Sequence, residues 1–116
     1  IYIQTENDYN RLAESAVSSA FTDCGMKVSK NIEQANYIAE LFIELNVSGS
    51  EPVSVRPGLE VKIQNKEEKT VYSCEVQTAE KSVAYTLENA QKKAFPRLAK
   101  ETEEAVKKDL SGFLEL

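Results

Sequence analysis

From Tyr37 to Ser48 the chain reads YIAELFIELNVS, with an apolar residue at every odd position through Val47. A period of two along that length predicts a long strand with one dry face. The opposite face carries Glu40 and Glu44 but also Ile38 and Phe42, two large apolar side chains where solvent is expected. Shorter alternating stretches surround this strand. Ile1 to Gln4 is a brief β segment, and Met26 to Val28 is another. Leu59, Val61 and Ile63 alternate with Glu60, Lys62 and Gln64, and Tyr72, Cys74 and Val76 alternate with Ser73, Glu75 and Gln77 within Thr70 to Thr78. Val53 and Val55 extend the Leu59–Gln64 strand backward through Pro57-Gly58. Proline has no amide hydrogen for a ladder, so a bulge or an edge is expected there. Ser48 to Pro52 and Asn65 to Lys69 are rich in turn formers and read as hairpin connections.

Two stretches switch to helical spacing. From Asp8 to Cys24, Leu12, Ala13, Ala16, Val17, Ala20, Phe21 and Cys24 recur at intervals of three and four and make one continuous stripe. Thr5 followed by Asp8 resembles a capping box with a shortened acid, and Gly25 is placed to end the helix. Ser29 to Asn36 reads as a turn or a single helical turn. In the last third, Val83, Leu87, Ala90, Ala94, Phe95, Leu98, Ala105, Val106 and Leu110 form a second stripe. Pro96 lies inside it and predicts a kink or break near Ala94 and Phe95, because an internal proline removes one hydrogen bond and crowds the preceding turn. Ser111-Gly112 is the expected helix end, leaving Phe113, Leu114 and Leu116 as an apolar tail.

The order β-α-β-β-β-β-α predicts an α+β fold in one domain, residues 1–116. It is a four- to five-stranded mixed, largely antiparallel sheet with two helices packed on one face. Short connections favour an antiparallel meander in the later strands, and the first strand–helix–strand unit allows a parallel pair.

Composition narrows the function. With 116 residues, 28% of them charged and 41% hydrophobic, the chain has the make-up of a folded domain. A net charge of −5 disfavours a nucleic-acid partner. Lys92, Lys93, Arg97 and Lys100 form a basic cluster and the strand order resembles that of double-stranded RNA-binding domains. Glu88, Glu101, Glu103 and Glu104 flank those lysines, however, and a solvated helix face is the plainer reading. No run approaches the roughly 20 apolar residues that span a bilayer. The chain opens at Ile1 rather than methionine, so processing or excision from a longer precursor is expected, and a lipid anchor would lie outside this segment.

Catalytic equipment is sparse. There is no histidine, the side chain that shuttles protons best at neutral pH. Gly25, Gly49, Gly58 and Gly112 each stand alone, so phosphate-cradling loops and nucleophile elbows lack their glycines. Cys24 and Cys74 read as two buried thiols, with a disulfide open to them in an oxidising compartment. Without histidine or a CxxC pair they give no metal site. Glu40 and Glu44 share a strand face but read as solvated carboxylates. No catalytic, cofactor-binding or metal-binding residue is expected. The candidates that remain are apolar. Ile38 and Phe42 on the wet face, with Phe113 and Leu114 of the tail, are the candidate partner-binding residues, covered either by the chain itself or by another protein.

One pattern resembles a known family. A helix ending in CGMKVS, then a polar stretch closing on ANYIAELFIELNVSG, is similar to the glycine–valine and Ala-Asp-Tyr run of bacterial envelope lipoprotein domains of the CsgG-like (curli secretion) and LpoB-like (penicillin-binding-protein activator) kind. KTVYSCEVQT followed by ENAQKKAFPRLAKE continues in the same manner. Asn36 stands where the family pattern has aspartate, and Pro96 interrupts the last helix. The resemblance implies a non-enzymatic protein-interaction or assembly module of a bacterial cell-envelope lipoprotein, periplasmic or outer-membrane-associated. Its partner is an envelope protein or a second copy, with no cofactor. The alternatives are a small acidic inhibitor or immunity-type binding protein, steered by its charge, and an enzyme using carboxylates or a thiol.

Overall fold

A computed structural model describes residues 1–6, 8–78 and 80–113, with the side chains of Asn10 and of residues 111–113 left out of the description. Strands β1 (Tyr2–Thr5), β2 (Tyr37–Ser48), β3 (Val53–Asn65), β4 (Thr70–Gln77) and β5 (Ser82–Ala84) form one sheet with helices α1 (Leu12–Asp23) and α2 (Leu87–Phe113). The order along the sheet is β1-β2-β3-β4, and β5 pairs with the first residues of β3. β1 and β2 are parallel neighbours joined through α1, and every other pair is antiparallel. The α+β architecture and mixed sheet read from the sequence are those of the structure.

The apolar alternation chooses the face that the helices cover. Ala39 and Leu41 of β2, Ile3 of β1 and Leu59, Val61 and Ile63 of β3 meet Ala13, Val17, Ala20 and Phe21 of α1 and Phe95, Leu98, Val106 and Leu110 of α2. Each valine, leucine, isoleucine or phenylalanine among them taken fully from water contributes about 1.5–3 kcal/mol. A second cluster joins Val53 and Val55 to Ala90 and Ala94, so the two ends of β3 are held by different parts of α2.

Several boundaries differ from the sequence reading. Thr5 is the last residue of β1, paired opposite Leu41, and therefore cannot cap a helix. Asp8 does so alone: its two carboxylate oxygens accept from the amides of Ala13 and Glu14 at 3.0 and 2.9 Å. The helix consequently starts at Leu12, after a 3-10 turn over Tyr9–Arg11. Its end follows the expected glycine rule. Gly25 has φ +86°, its amide donates to Thr22 O, and Met26 N donates to Phe21 O, the paired bonds that close a helix on a left-handed residue.

Met26 to Val28 do not form a strand; beside β1 there is one parallel bridge, Tyr2 to Ser29, with Lys27 O accepting from the Ile1 amine and Ser29 N donating to Ile1 O. The fifth strand comes instead from Ser82–Ala84, a stretch whose Val83 the helical stripe had claimed. It pairs with Val53–Val55, and α2 starts only after Thr86, whose hydroxyl accepts from Asn89 N. No break occurs at Pro96. α2 runs on as helix past the expected stop at Ser111-Gly112 to Phe113. Pro96 and Lys92, whose carbonyl loses its helical donor there, are both exposed, so water can satisfy that oxygen.

Pro57 produces no register shift against β2. The edge expected of it exists on the other side, in the gap between β4, which reaches Gly58, and β5, which begins at Val55. Thr78 N donates to Pro57 O at 3.4 Å, and the reciprocal bond is impossible for proline. Arg56 replaces it: its Nε donates to Thr78 O at 2.8 Å. The irregularity in the sheet falls elsewhere, between Ile63 and Gln64 on the β4 side.

Candidate functional site

The face of the sheet away from the helices is set by the even residues of β2 and β3. Cross-strand partners form rows on it: Tyr2, Ile38 and Gln64; Gln4, Glu40, Lys62 and Ser73; Phe42, Glu60 and Glu75; Glu44, Gly58 and Gln77. Phe42 is 51% exposed at the centre of this face. Ile38 is half-buried between Tyr2 and Gln64. Of the four apolar candidates, these two share a face. The side chain of Phe113, the last residue of α2, and the whole of Leu114 lie outside the described residues.

Gly58 gives the face a shape that the apolar pattern did not reveal. A notch of about 410 Å³ opens beside Phe42, floored by Gly58 and bordered by Glu44, Glu60, Glu75 and Gln77. A Cβ on Gly58 would meet only Val76 O, at an ordinary 3.7 Å, and its φ is not positive. The backbone therefore does not demand glycine; its effect here is to leave room. An isolated glycine inside a strand pattern is the sequence signal for such a close approach.

The electrostatics of the face are acidic. Glu40, Glu44, Glu60 and Glu75 line it against Lys62 and Arg56, and Arg56 is engaged with Thr78 O. An apolar ring bordered by carboxylates suits an apolar side chain accompanied by Lys or Arg. The cysteines are free and half-buried. Cys24 Sγ lies 3.9 Å from Lys107 O. Burial pushes the Cys74 thiol above its ordinary range, which disfavours the thiolate at neutral pH. Tyr72 beside it is also raised, first by burial and then by donating to Asp109 Oδ2 at 2.7 Å. No three His, Cys, Asp or Glu side chains gather as a metal site among the described residues. No helix among them is long and apolar enough to cross a membrane.

No protein-family model and no curated protein matches the chain. Solved structures do share its fold. A minor lipoprotein from Acinetobacter baumannii superposes with TM-score 0.61 at 13% identity, covering 97% of this chain and 92% of that one. A protein from Caulobacter crescentus described as a lipoprotein gives TM-score 0.62 at 14% identity, covering 97% and 88%. A DUF330-family protein from Xanthomonas campestris gives 0.58 at 23% identity, covering 91% of this chain and 63% of that one. The fold is thus one found in bacterial lipoproteins. These neighbours do not carry the finer resemblance to curli-secretion and penicillin-binding-protein-activator domains.

Proposed function

We propose that the chain is a non-enzymatic protein-interaction module of a bacterial cell-envelope lipoprotein, acting through the open face of its sheet. The observation that carries this reading is Phe42, half in water at the centre of the sheet face that the helices leave open. The likeness in fold to bacterial lipoproteins over nearly the whole chain supports the envelope as its setting. The partner is a protein that offers an apolar side chain to the notch, with basic residues opposite Glu44, Glu60 and Glu75.

The test is a photo-crosslinking residue at position 42 in the full-length protein, made in its own bacterium, with position 67 in the exposed β3–β4 turn as control. A discrete adduct at 42, absent at 67 and lost in Gly58→Val, is the expected result. Phe42→Glu should abolish partner binding while the melting transition stays cooperative; if it unfolds the domain, the face is core and the reading fails. The full-length gene tests the setting. A leader with a lipid-attachment cysteine upstream of Ile1 supports it, and an initiator methionine adjacent to Ile1 overturns it.

A further inference from the structure

The direction of the backbone groups of β2 follows from β3. The N–H and C=O of one strand residue point to the same side, and those of the next point to the other. Pro57 O faces β4, where it accepts from Thr78 N. The odd residues of β3 therefore bond toward β4 and β5, and the even ones toward β2. With Leu45 opposite Pro57 and Asn46 opposite Arg56, the even residues of β2 bond to β3 and the odd residues bond away from it. Ala39 and Leu41 meet β1 on that outer side. β1 stops at Thr5, opposite Leu41, so the amides and carbonyls of Ile43, Leu45 and Val47 face outward. No hydrogen bond to them from that side occurs among the described residues.

This edge lacks the usual protection. From Phe42 to Ser48 there is no lysine, no proline and no register shift, and Val47 is 47% exposed. The outer edge of β4 likewise has no lysine or proline from Thr70 to Gln77, but its pairing with β3 shifts register between Ile63 and Gln64.

We infer that the unpaired edge of β2 pairs with the same edge of a second copy, antiparallel, about a two-fold axis at Leu45. The free stretch runs from Phe42 to Ser48, and Leu45 is its midpoint. Centred there, Phe42 lies opposite the second copy's Ser48, just where β1 leaves off and where Gly49, at φ +77°, turns the chain away. Ile43, Leu45 and Val47 then face Val47, Leu45 and Ile43 of the second copy in hydrogen-bonded pairs. The outward groups of all three are satisfied in both copies. On the open face Glu44 meets Asn46. A two-fold at Glu44 would instead set two glutamates directly opposite, which is destabilising. The pairing is isologous and therefore closed, giving a dimer rather than a fibre. With a net charge of −5 on each copy, moderate salt should strengthen it.

Pairing leaves the Gly58 notch uncovered, so the two readings fail separately: a position-42 adduct between two copies that survives Gly58→Val reports the edge, and one lost with it reports the notch. Sedimentation equilibrium of the 116-residue chain up to about 1 mM tests it. The expected result is a dimer, twice 13.0 kDa, that Val47→Lys weakens at least about tenfold without changing the far-UV spectrum. Register is read by cross-linking in a chain carrying Cys24→Ser and Cys74→Ser. A mixture of Glu44→Cys and Asn46→Cys should oxidise to a heterodimer, since opposed residues of a non-hydrogen-bonded pair lie about 4.5 Å apart at Cα. Either variant alone should cross-link far less. A monomer throughout the concentration range, a dimer indifferent to Val47→Lys, or equal cross-linking of the single variants would each overturn the inference.

Discussion

The two halves of β2 obey the same alternation and meet different fates. From Ile38 to Leu41 the strand is held on both sides, by β1 and β3, and Ala39 and Leu41 are sealed under the helices. From Phe42 to Ser48 it is held by β3 alone; Ile43 and Leu45 are half-buried, and Val47 is exposed on the nominally dry face. Residue chemistry does not separate the halves. What separates them is where β1 ends, and that is decided by Asp8, whose bidentate cap draws the chain out of the sheet and into α1. A buried strand can thus become an interaction edge partway along its length with no change in its own pattern.

Leu41→Ala is the sharpest way to test that contrast. At 3% exposure in the joint core, Leu41 should cost about 2–5 kcal/mol when truncated. Leu45→Ala, four residues on, should cost about 1 kcal/mol. Equal losses in urea denaturation would erase the distinction. Hydrogen exchange measures the same boundary through the backbone. In dilute protein the amides of Ala39 and Leu41 should exchange roughly a hundredfold or more slowly than those of Ile43, Leu45 and Val47.

Asp8→Ala should cost about 1 kcal/mol, the usual loss of a helix cap. It should also loosen the Thr5–Leu41 end of the β1 pairing, seen as faster exchange at Leu41 with the rest of the sheet unchanged. The smallest effect concerns the opposite margin of the sheet. Tyr72 has a folded-state pKa above its unfolded value because of burial and its bond to Asp109. Its contribution is therefore complete below about pH 10, the ordinary tyrosine value, and fades as pH rises beyond it. Lys107, raised by its contacts with Asp23 and Glu103, loses its contribution in the same direction. Tyr72→Phe should flatten part of the alkaline decline in stability; an unchanged profile would remove Tyr72 from it.

Much of this molecule was legible from alternation and spacing. The covered faces of β2, β3 and α1, the turn at Asn65–Lys69 and the glycine stop at Gly25 all follow from short-range patterns, and Ile38 and Phe42 stood out as apolar residues on the wrong face. The misreadings share one cause, competition between local propensity and partners distant in sequence. Val83 fits a helical stripe, yet Ser82–Ala84 lies beside the free end of β3 and pairs with it. Met26 to Val28 look extended, yet they form no strand: Lys27 O accepts from the Ile1 amine, and the bridge to Tyr2 is made by the next residue, Ser29. The notch at Gly58 needed Phe42 and Glu75 brought in from other strands before it could exist.

Taken alone, the amino-acid order determined which residues alternate, which recur every third or fourth place, and hence the α+β class, because those periods are properties of a single backbone segment. Only the tertiary structure decided where pairing stops, which apolar residues stay wet, and that Arg56 supplies the bond that Pro57 cannot. Those outcomes depend on the lengths of neighbouring strands and on groups tens of residues apart, and no local pattern encodes such a distance.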